Sequence, residues 1–251
     1  MSATISSRLQ MLCAWAGPAF VLSFCVGIWF IAGYVPPHDP GASALQIADF
    51  YQAHPGRIRA GLLITMFSAT LWIPWAGALS AQMKRMCHPV LADVQLGCGI
   101  ATSVFVILPM MVWLAASYRP ERSPELLLFF NDFAFIMFVG LVAPAYFQIT
   151  CVGIAALADK ATNPVFPRWV GYFNIWVALL TLPGGLCVFF KDGPFAWNGL
   201  LAFWMPLTVY GVWYPTMFWM LRRAIHAQAA EQVRRESPDR HSSSPSAVSA
   251  L

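Results

Sequence analysis

The chain has 251 residues, 59% of them hydrophobic and only 10% charged, far below the roughly 25% charge of soluble domains, so water is not its main solvent. Its net charge of +4 is gathered in Arg222, Arg223, Arg234, Arg235 and Arg240 near the end, a pattern that suits an anionic membrane face and excludes nucleic acid as a partner. Almost every residue is used in long apolar runs and short connections, which leaves room for one helical bundle and no separate soluble domain.

The N-terminal charge followed by an apolar run has the outline of a signal peptide. That run continues to Tyr34 without an A-x-A site, so it is expected to stay as a first span over residues 12–34. In the loop that follows, Ser43 and Gln46 form an S-x-x-Q capping box. Leu45, Ile47, Ala48, Phe50 and Tyr51 supply an apolar face and His54-Pro55-Gly56 a stop, which predicts a short amphipathic helix along the outer surface. A second span is expected over residues 58–83 and a third over 94–118, each longer than the roughly 20 residues a bilayer requires.

The fourth apolar run, residues 126–158, is irregular. With Ser123 as N-cap and Pro124 as first helical residue, a helix to Asp159 would be roughly 50 Å long against a hydrocarbon core of roughly 30 Å. It must tilt, kink at Pro144, or overhang so that the true span begins near Phe135. A fifth span is expected over 169–190 and a sixth over 198–221. The sixth helix should continue into the cytoplasm over 224–236, and 237–251, rich in Ser with Pro238 and Pro245, should be disordered.

No run alternates with period two, which excludes strands. The expected fold is therefore all-α: a polytopic membrane bundle of six transmembrane helices within residues 1–223. The N-terminus, the 84–91 and 159–168 loops and the tail hold ten Lys and Arg against five on the opposite side. By the positive-inside rule both termini are cytoplasmic, and the expected location is the plasma membrane, the inner membrane of a bacterium.

Each span contains proline: Pro18, Pro74, Pro109, Pro144, Pro183, and both Pro206 and Pro215. Each frees a carbonyl that Ser, Thr or a neighbouring helix must satisfy, and kinked helices leave internal space. Thr65, Ser68, Thr70, Thr102, Ser103, Gln148, Thr150 and Asn174 are expected to bond across helices or back onto their own carbonyls. Gly97 with Ala101 and Gly77 with Ala81 are read as close helix contacts.

Five sets of residues carry candidate chemistry. Asn131 and Asp132 are one, since an ionisable group within hydrocarbon usually faces a cavity or a partner. Deep in the membrane, Asp132 would serve proton transfer or cation binding; in an overhanging helix it is an interfacial carboxylate near Arg119 or Arg122, the preferred reading. Thr181, Pro183, Gly184 and Gly185 either unwind the fifth helix and expose its carbonyls to a ligand or, the preferred reading, kink it and let helices pack closely. Trp72, Trp75, Trp176, Trp204, Tyr210 and Trp213 lie deep enough to line a pocket for a flat or apolar ligand, with packed or lipid-facing rings as the plainer reading. His38, Asp39, Asp49 and His54 have the types of a zinc site but the spacing of none, and Cys87-His88 is too short to hold a metal, so no metal is expected.

The six cysteines are scattered without a CxxC pair and read as free thiols. No histidine or lysine lies inside a span, which excludes bis-His haem and a retinal Schiff base. Walker A, G-x-G-x-x-G, HExxH and TVGYG motifs are all missing, and no cofactor is expected. The preferred functional expectation is a protein that binds or passes a small hydrophobic or amphipathic molecule, as a carrier or a subunit of a membrane complex. The first alternative is an enzyme acting on a lipid or isoprenoid, with Asp132 as acid or base and Asn131 orienting the substrate. The second is a structural subunit. The expected partners are the bilayer, such a ligand and other membrane proteins.

Overall fold

The structure, a computed structural model, describes residues 2–86 and 89–236. The Cys87-His88 pair and the 237–251 tail lie outside the described residues. Among those described, all regular structure is helical. The first helix, α1 (Ser2–Cys25), passes into a π-helical stretch, Val26–Ile31. Helix α2 (Ala44–Ala53) starts at the capping box read from the sequence: the Gln46 N–H donates to Ser43 Oγ at 3.3 Å and the Ser43 N–H to Gln46 Oε1 at 2.8 Å. His54 separates α2 from α3 (Pro55–Ala69), and a turn at Thr70 and Leu71 separates α3 from α4 (Trp72–Met83).

Proline explains that turn. Pro74 offers no N–H to the Thr70 carbonyl and its ring crowds it, so the carbonyl accepts from Ile73 N–H at 3.1 Å instead. Helix α5 (Pro89–Tyr118) keeps its course through Pro109. The long fourth run is two helices, α6 (Pro124–Gly140) and α7 (Ala143–Ala158), stepped at Leu141 and Val142. Pro144 leaves the Gly140 carbonyl free, and the Val142 N–H takes it at 2.9 Å. Helix α6 packs against α2. Ser123 stands at the N-cap position of α6, yet its side chain makes no capping bond.

Helix α8 (Arg168–Thr181) tightens into a 3-10 stretch, Leu182–Phe189. Pro183 cannot bond the Leu179 carbonyl, which accepts from the Leu182 N–H. A second π stretch, Leu200–Trp204, precedes Pro206 and leads into α9 (Met205–Glu236).

The rods form a closed ring: α1, α3 with α4, α5, α6 with α7, α8 with its 3-10 end, and α9 with its π start, which returns to α1. Inside the ring the buried side chains form two clusters. One holds Trp75, Leu79, Ile149, Val170, Trp213 and Met217; the other holds Tyr34, Leu62, Trp113, Phe135, Trp197 and Phe203.

Five stretches are long and apolar enough to cross a membrane: Ser6–Ile31, Pro55–Met83, Pro89–Tyr118, Pro124–Ala158 and Arg168–Phe189. Large apolar side chains such as Leu22, Phe30, Phe67, Phe129, Phe147 and Val188 stand exposed along them, a surface suited to lipid rather than water. These features point to a multi-pass membrane protein. Helix α9, expected as the sixth span, is not among the five; Tyr210, Tyr214 and its prolines dilute its apolar half, and its other half is charged.

The glue differs from the sequence reading. Gly77 and Gly97, read there as close contacts, have open space where a Cβ would stand. Close approach occurs where Gly27 crosses Gly61 and where Gly153 crosses Gly171. A Cβ on Gly153 would lie 3.1 Å from the Gly171 carbonyl, and one on Gly171 3.1 Å from the Gly153 carbonyl. Facing glycines let two backbones meet, whereas one beside lipid only weakens its helix. Substituting Gly61 by Leu should therefore lower the melting temperature in detergent markedly, whereas Gly97→Ala should be neutral or raise stability by up to about 1 kcal/mol. Equal effects of the two changes would refute the assignment.

Candidate functional site

The helix interruptions converge. Cys25 at the end of α1, Trp72 at the start of α4, Leu141 and Val142 at the step between α6 and α7, Thr181 at the end of α8, and Ala202, Phe203 and Pro206 around the start of α9 all line one cavity of about 230 Å³. Helix α5 adds Thr102 and Val106. Phe20, Phe24, Phe138, Phe203, Tyr210 and Tyr214 provide most of the remaining wall, and no charged side chain lines it. The cavity lies within the ring where the two buried clusters meet, with lining residues drawn from both. Two lining residues, Leu141 and Gly211, are themselves exposed.

Its rings are held by polar bonds at their far edges. The Trp72 indole N–H donates to Gln148 Oε1 at 2.9 Å, which turns the ring edge-on to Phe20, Tyr210 and Tyr214. Below it, Trp213 Nε1 donates to Asn174 Oδ1 at 2.9 Å, and Asn174 Nδ2 to the Val170 carbonyl at 2.8 Å. Thr102 and Thr181 donate to the carbonyls of Cys98 and Ala178, at 2.8 and 2.7 Å. Ser103 Oγ donates to the Ala69 carbonyl of α3 at 2.9 Å and ties α5 to the end of that helix.

Of the residues singled out in the sequence, Trp72, Tyr210 and Thr181 line the cavity. Trp75 and Trp213 are wholly buried and pack against each other and Tyr214. Trp204 packs on the outer cluster beside Phe203. Gly184 lies behind the wall, where a Cβ would come within 2.9 Å of the Val139 carbonyl, and Gly185 lies near Val142. The segment is wound more tightly, not unwound, and Gly184 packs closely against the step between α6 and α7. Trp176 is 63% exposed and faces away from the cavity. Sequence reading passed over Phe20, Phe24, Phe138, Phe203 and Tyr214. A signal existed for the last: Tyr214 is four residues after Tyr210, on the same face of α9, while Trp213 turns toward Asn174.

Asn131 and Asp132 belong to a separate network, away from the cavity. Asn131 is fully buried, its Oδ1 is 2.8 Å from His38 Nδ1, and its Nδ2 is 3.5 Å from Asp132 Oδ1. A carboxylate only accepts, so Nδ2 faces Asp132, Oδ1 faces the His38 N–H, and the imidazole proton resides on Nδ1. The His38 ring packs among Tyr34, Phe50 and Phe135, and its carbonyl accepts from the Trp197 indole at 2.8 Å. Tyr34 and Tyr51 pair their hydroxyls at 3.1 Å, and burial pushes both phenols above their ordinary range. Among the described residues neither Arg119 nor Arg122 forms an ion pair with Asp132; Arg122 instead donates to the Ala115 carbonyl and covers Phe130. His38, Asp39, Asp49 and His54 do not converge. His38 points inward, the Asp39 carboxylate accepts from the Gly41 N–H, and among the described residues no three His, Cys, Asp or Glu side chains group as metal ligands.

Comparison with protein families, curated proteins and solved structures returned no match to this chain. The cavity and the Asn131–Asp132 network therefore stand on their own geometry.

That network makes a pH dependence explicit. Burial lowers the His38 pKa from its usual 6.5, against a smaller opposing effect of Asn131, and a proton on the buried, unpartnered Nε2 would have nothing to donate to. The unfolded chain then takes up the proton first, so the stability contributed by neutral His38 is complete above pH 6.5 and is lost as the pH falls from there through the lowered folded value. Melting temperature measured between pH 8 and pH 5 should fall below pH 6.5, and His38→Phe should flatten that slope. A slope unchanged in the variant would remove His38 from the effect.

Proposed function

We propose that this protein crosses the plasma membrane of a bacterium six times, with both termini in the cytoplasm, and binds a small hydrophobic or amphipathic molecule in the central cavity, as a carrier or as the binding subunit of a membrane complex. The observation that supports this is the convergence of the helix interruptions on one apolar, aromatic cavity. Irregular backbone at membrane depth is tolerated where it is buried in protein or lines a cavity, and apolar pockets with few polar groups are the usual form of small-molecule sites.

The ring supports a sixth crossing. Helix α9 lies along α1, with Trp15 against Phe218 at 4.7 Å and Phe20 against Tyr214 at 5.4 Å. Were α9 outside the bilayer, the cavity wall formed by α1 and α9 would face water. Arg222, Arg223, Arg234 and Arg235 lie at the end of α9 where the inner leaflet is expected. The turns at the cavity also suit a carrier, because hinges at the level of the site let the two clusters move against each other. An enzyme using Asp132 would need substrate at its own network, and neither Asp132 nor Asn131 lines the cavity.

Val106 lines the cavity from α5, so Val106→Phe should take up part of its space. In lipid nanodiscs, wild type should gain thermal stability from at least one compound in a panel of lipids, quinones and aromatic molecules. Val106→Phe should lose most of that response while still melting cooperatively. A wild type indifferent to the whole panel, or a variant with the same response, would overturn the reading. Reporter fusions at the two ends should label the same side of the membrane, and opposite sides would refute the even number of crossings.

A further inference from the structure

A second recess lies at one end of the bundle, apart from the central cavity. Arg85 just beyond α4, Asn163, Pro164 and Pro167 of the loop before α8, and Arg223 and Glu231 of α9 line a cleft of about 370 Å³. The apolar stretches Pro55–Met83 and Pro124–Ala158 end beside it and Arg168–Phe189 begins there, so in a bilayer it stands at headgroup level. Its walls are fixed. The Asp159 carboxylate accepts from the Ala161 and Val165 N–H groups at 3.1 and 3.0 Å, Phe166 is wholly buried, and the two prolines stiffen the same loop. Arg85 donates to Gln82 Oε1 at 2.7 Å, to the Ala224 carbonyl at 3.3 Å and to Glu231 at 3.0 Å.

The charges in this cleft do not cancel. Arg223, Ala227 and Glu231 share one face of α9, with Arg223 roughly 12 Å from Glu231 along the axis. Glu231 pairs with Arg85, whereas Arg223 is exposed and bonds no acceptor among the described residues. Arg85 spends at most three of its five N–H bonds within the chain, and its side chain is 23% exposed. Two guanidinium groups against one carboxylate leave the lining with a single positive charge. We infer that the cleft binds a phosphodiester anion, with Arg223 and Arg85 donating to its oxygens. Guanidinium groups match phosphate geometry, and one negative charge balances the lining where the roughly −1.5 to −2 of a phosphomonoester would exceed it. The volume is more than twice the about 150 Å³ that takes up benzene, which leaves room for a substituent on either side of the phosphorus. Basic pockets between membrane helices commonly hold lipid headgroups. This site does not depend on what the central cavity binds.

The full chain in dodecyl maltoside, a detergent with neither charge nor phosphate, is titrated with four probes and the bound molecules are counted by native mass spectrometry. The probes are dioctanoylphosphatidylglycerol, dioctanoylglycerol without the phosphodiester, glycerophosphoglycerol without the chains, and inorganic phosphate. Wild type should bind dioctanoylphosphatidylglycerol about tenfold more tightly than dioctanoylglycerol, the lower worth of one charge-assisted hydrogen bond. Arg223→Gln should remove about that factor and leave the melting temperature unchanged, since Arg223 bonds nothing in the folded chain. Glu231→Gln should tighten binding, because it removes the opposing charge while its amide oxygen still accepts from Arg85. An ion pair that served structure alone would change stability there and leave affinity as it was. Lys84→Gln removes a cation that pairs with Asp93 outside the cleft and should not alter the affinity.

Glycerophosphoglycerol bound as tightly as the lipid assigns the cleft to a soluble phosphodiester, and tighter binding of the lipid assigns it to a headgroup; both outcomes uphold the anion. An affinity that survives Arg223→Gln, an equal loss in Lys84→Gln, an affinity unchanged or weakened by Glu231→Gln, inorganic phosphate bound more tightly than the lipid, or equal binding of the two dioctanoyl probes would each overturn the inference. None of these results bears on the central cavity, whose own panel tests it separately.

Discussion

A peptide group surrounded by hydrocarbon has no water to bond, and every feature of this bundle answers to that constraint. An uninterrupted α-helix satisfies it automatically, yet four of the six rods here are interrupted by proline beside the cavity, and α1 changes its winding there without one. Three of the freed carbonyls have a replacement donor from their own chain: Ile73 for Thr70, Val142 for Gly140, Leu182 for Leu179. The α-helix is exchanged for a turn, a 3-10 stretch or a π stretch of at most eight residues, and the backbone bonds stay local. Because the replacements sit on the same level of the ring, the space between the rods becomes a cavity instead of a scatter of small voids.

The same constraint explains where the polar side chains went. Hydroxyls short enough to reach their own carbonyls did so, as with Thr65, Ser68, Thr70 and Thr150. The longer amides Gln148 and Asn174 reached across helices and fixed Trp72 and Trp213. Gln82 joins α1, α4 and α9 through Gln10 and Gln228 at 2.6 and 2.8 Å, and Arg85 adds an ion pair to Glu231 at 3.0 Å. One pinned indole, Trp72, forms part of the cavity wall and the other, Trp213, packs behind Tyr214, so the polar groups decide which aromatic faces line the space.

Much of this was legible in the sequence because the signals are local. The Ser43 capping box, the breaks at Pro74, Pro144 and Pro183, and the apolar lengths each depend on residues within one or two turns of one another. What was not legible depends on which element lies opposite. Gly61 and Gly97 look alike in the chain, and only the approach of Gly27 makes one a contact and leaves the other open. Trp176 and Trp72 are both deep tryptophans, but the first turns outward because Asn174, two residues earlier, faces Trp213. His38 read as part of a loop that could meet solvent or metal; it is drawn inward by Asn131, 93 positions further along the chain, a distance at which no local pattern carries information.

The space between the rods is lined mostly by rings and hydrocarbon, and two of its lining residues, Leu141 and Gly211, are exposed. Water gains little among phenyl and indole walls, which offer it no second or third partner, whereas an apolar body entering past those two residues would meet aromatic faces without giving up a hydrogen bond. The bond that pins Trp72 to Gln148 keeps that ring edge-on to Phe20 and Tyr214. The shape of the space is therefore set by an amide that does not line it.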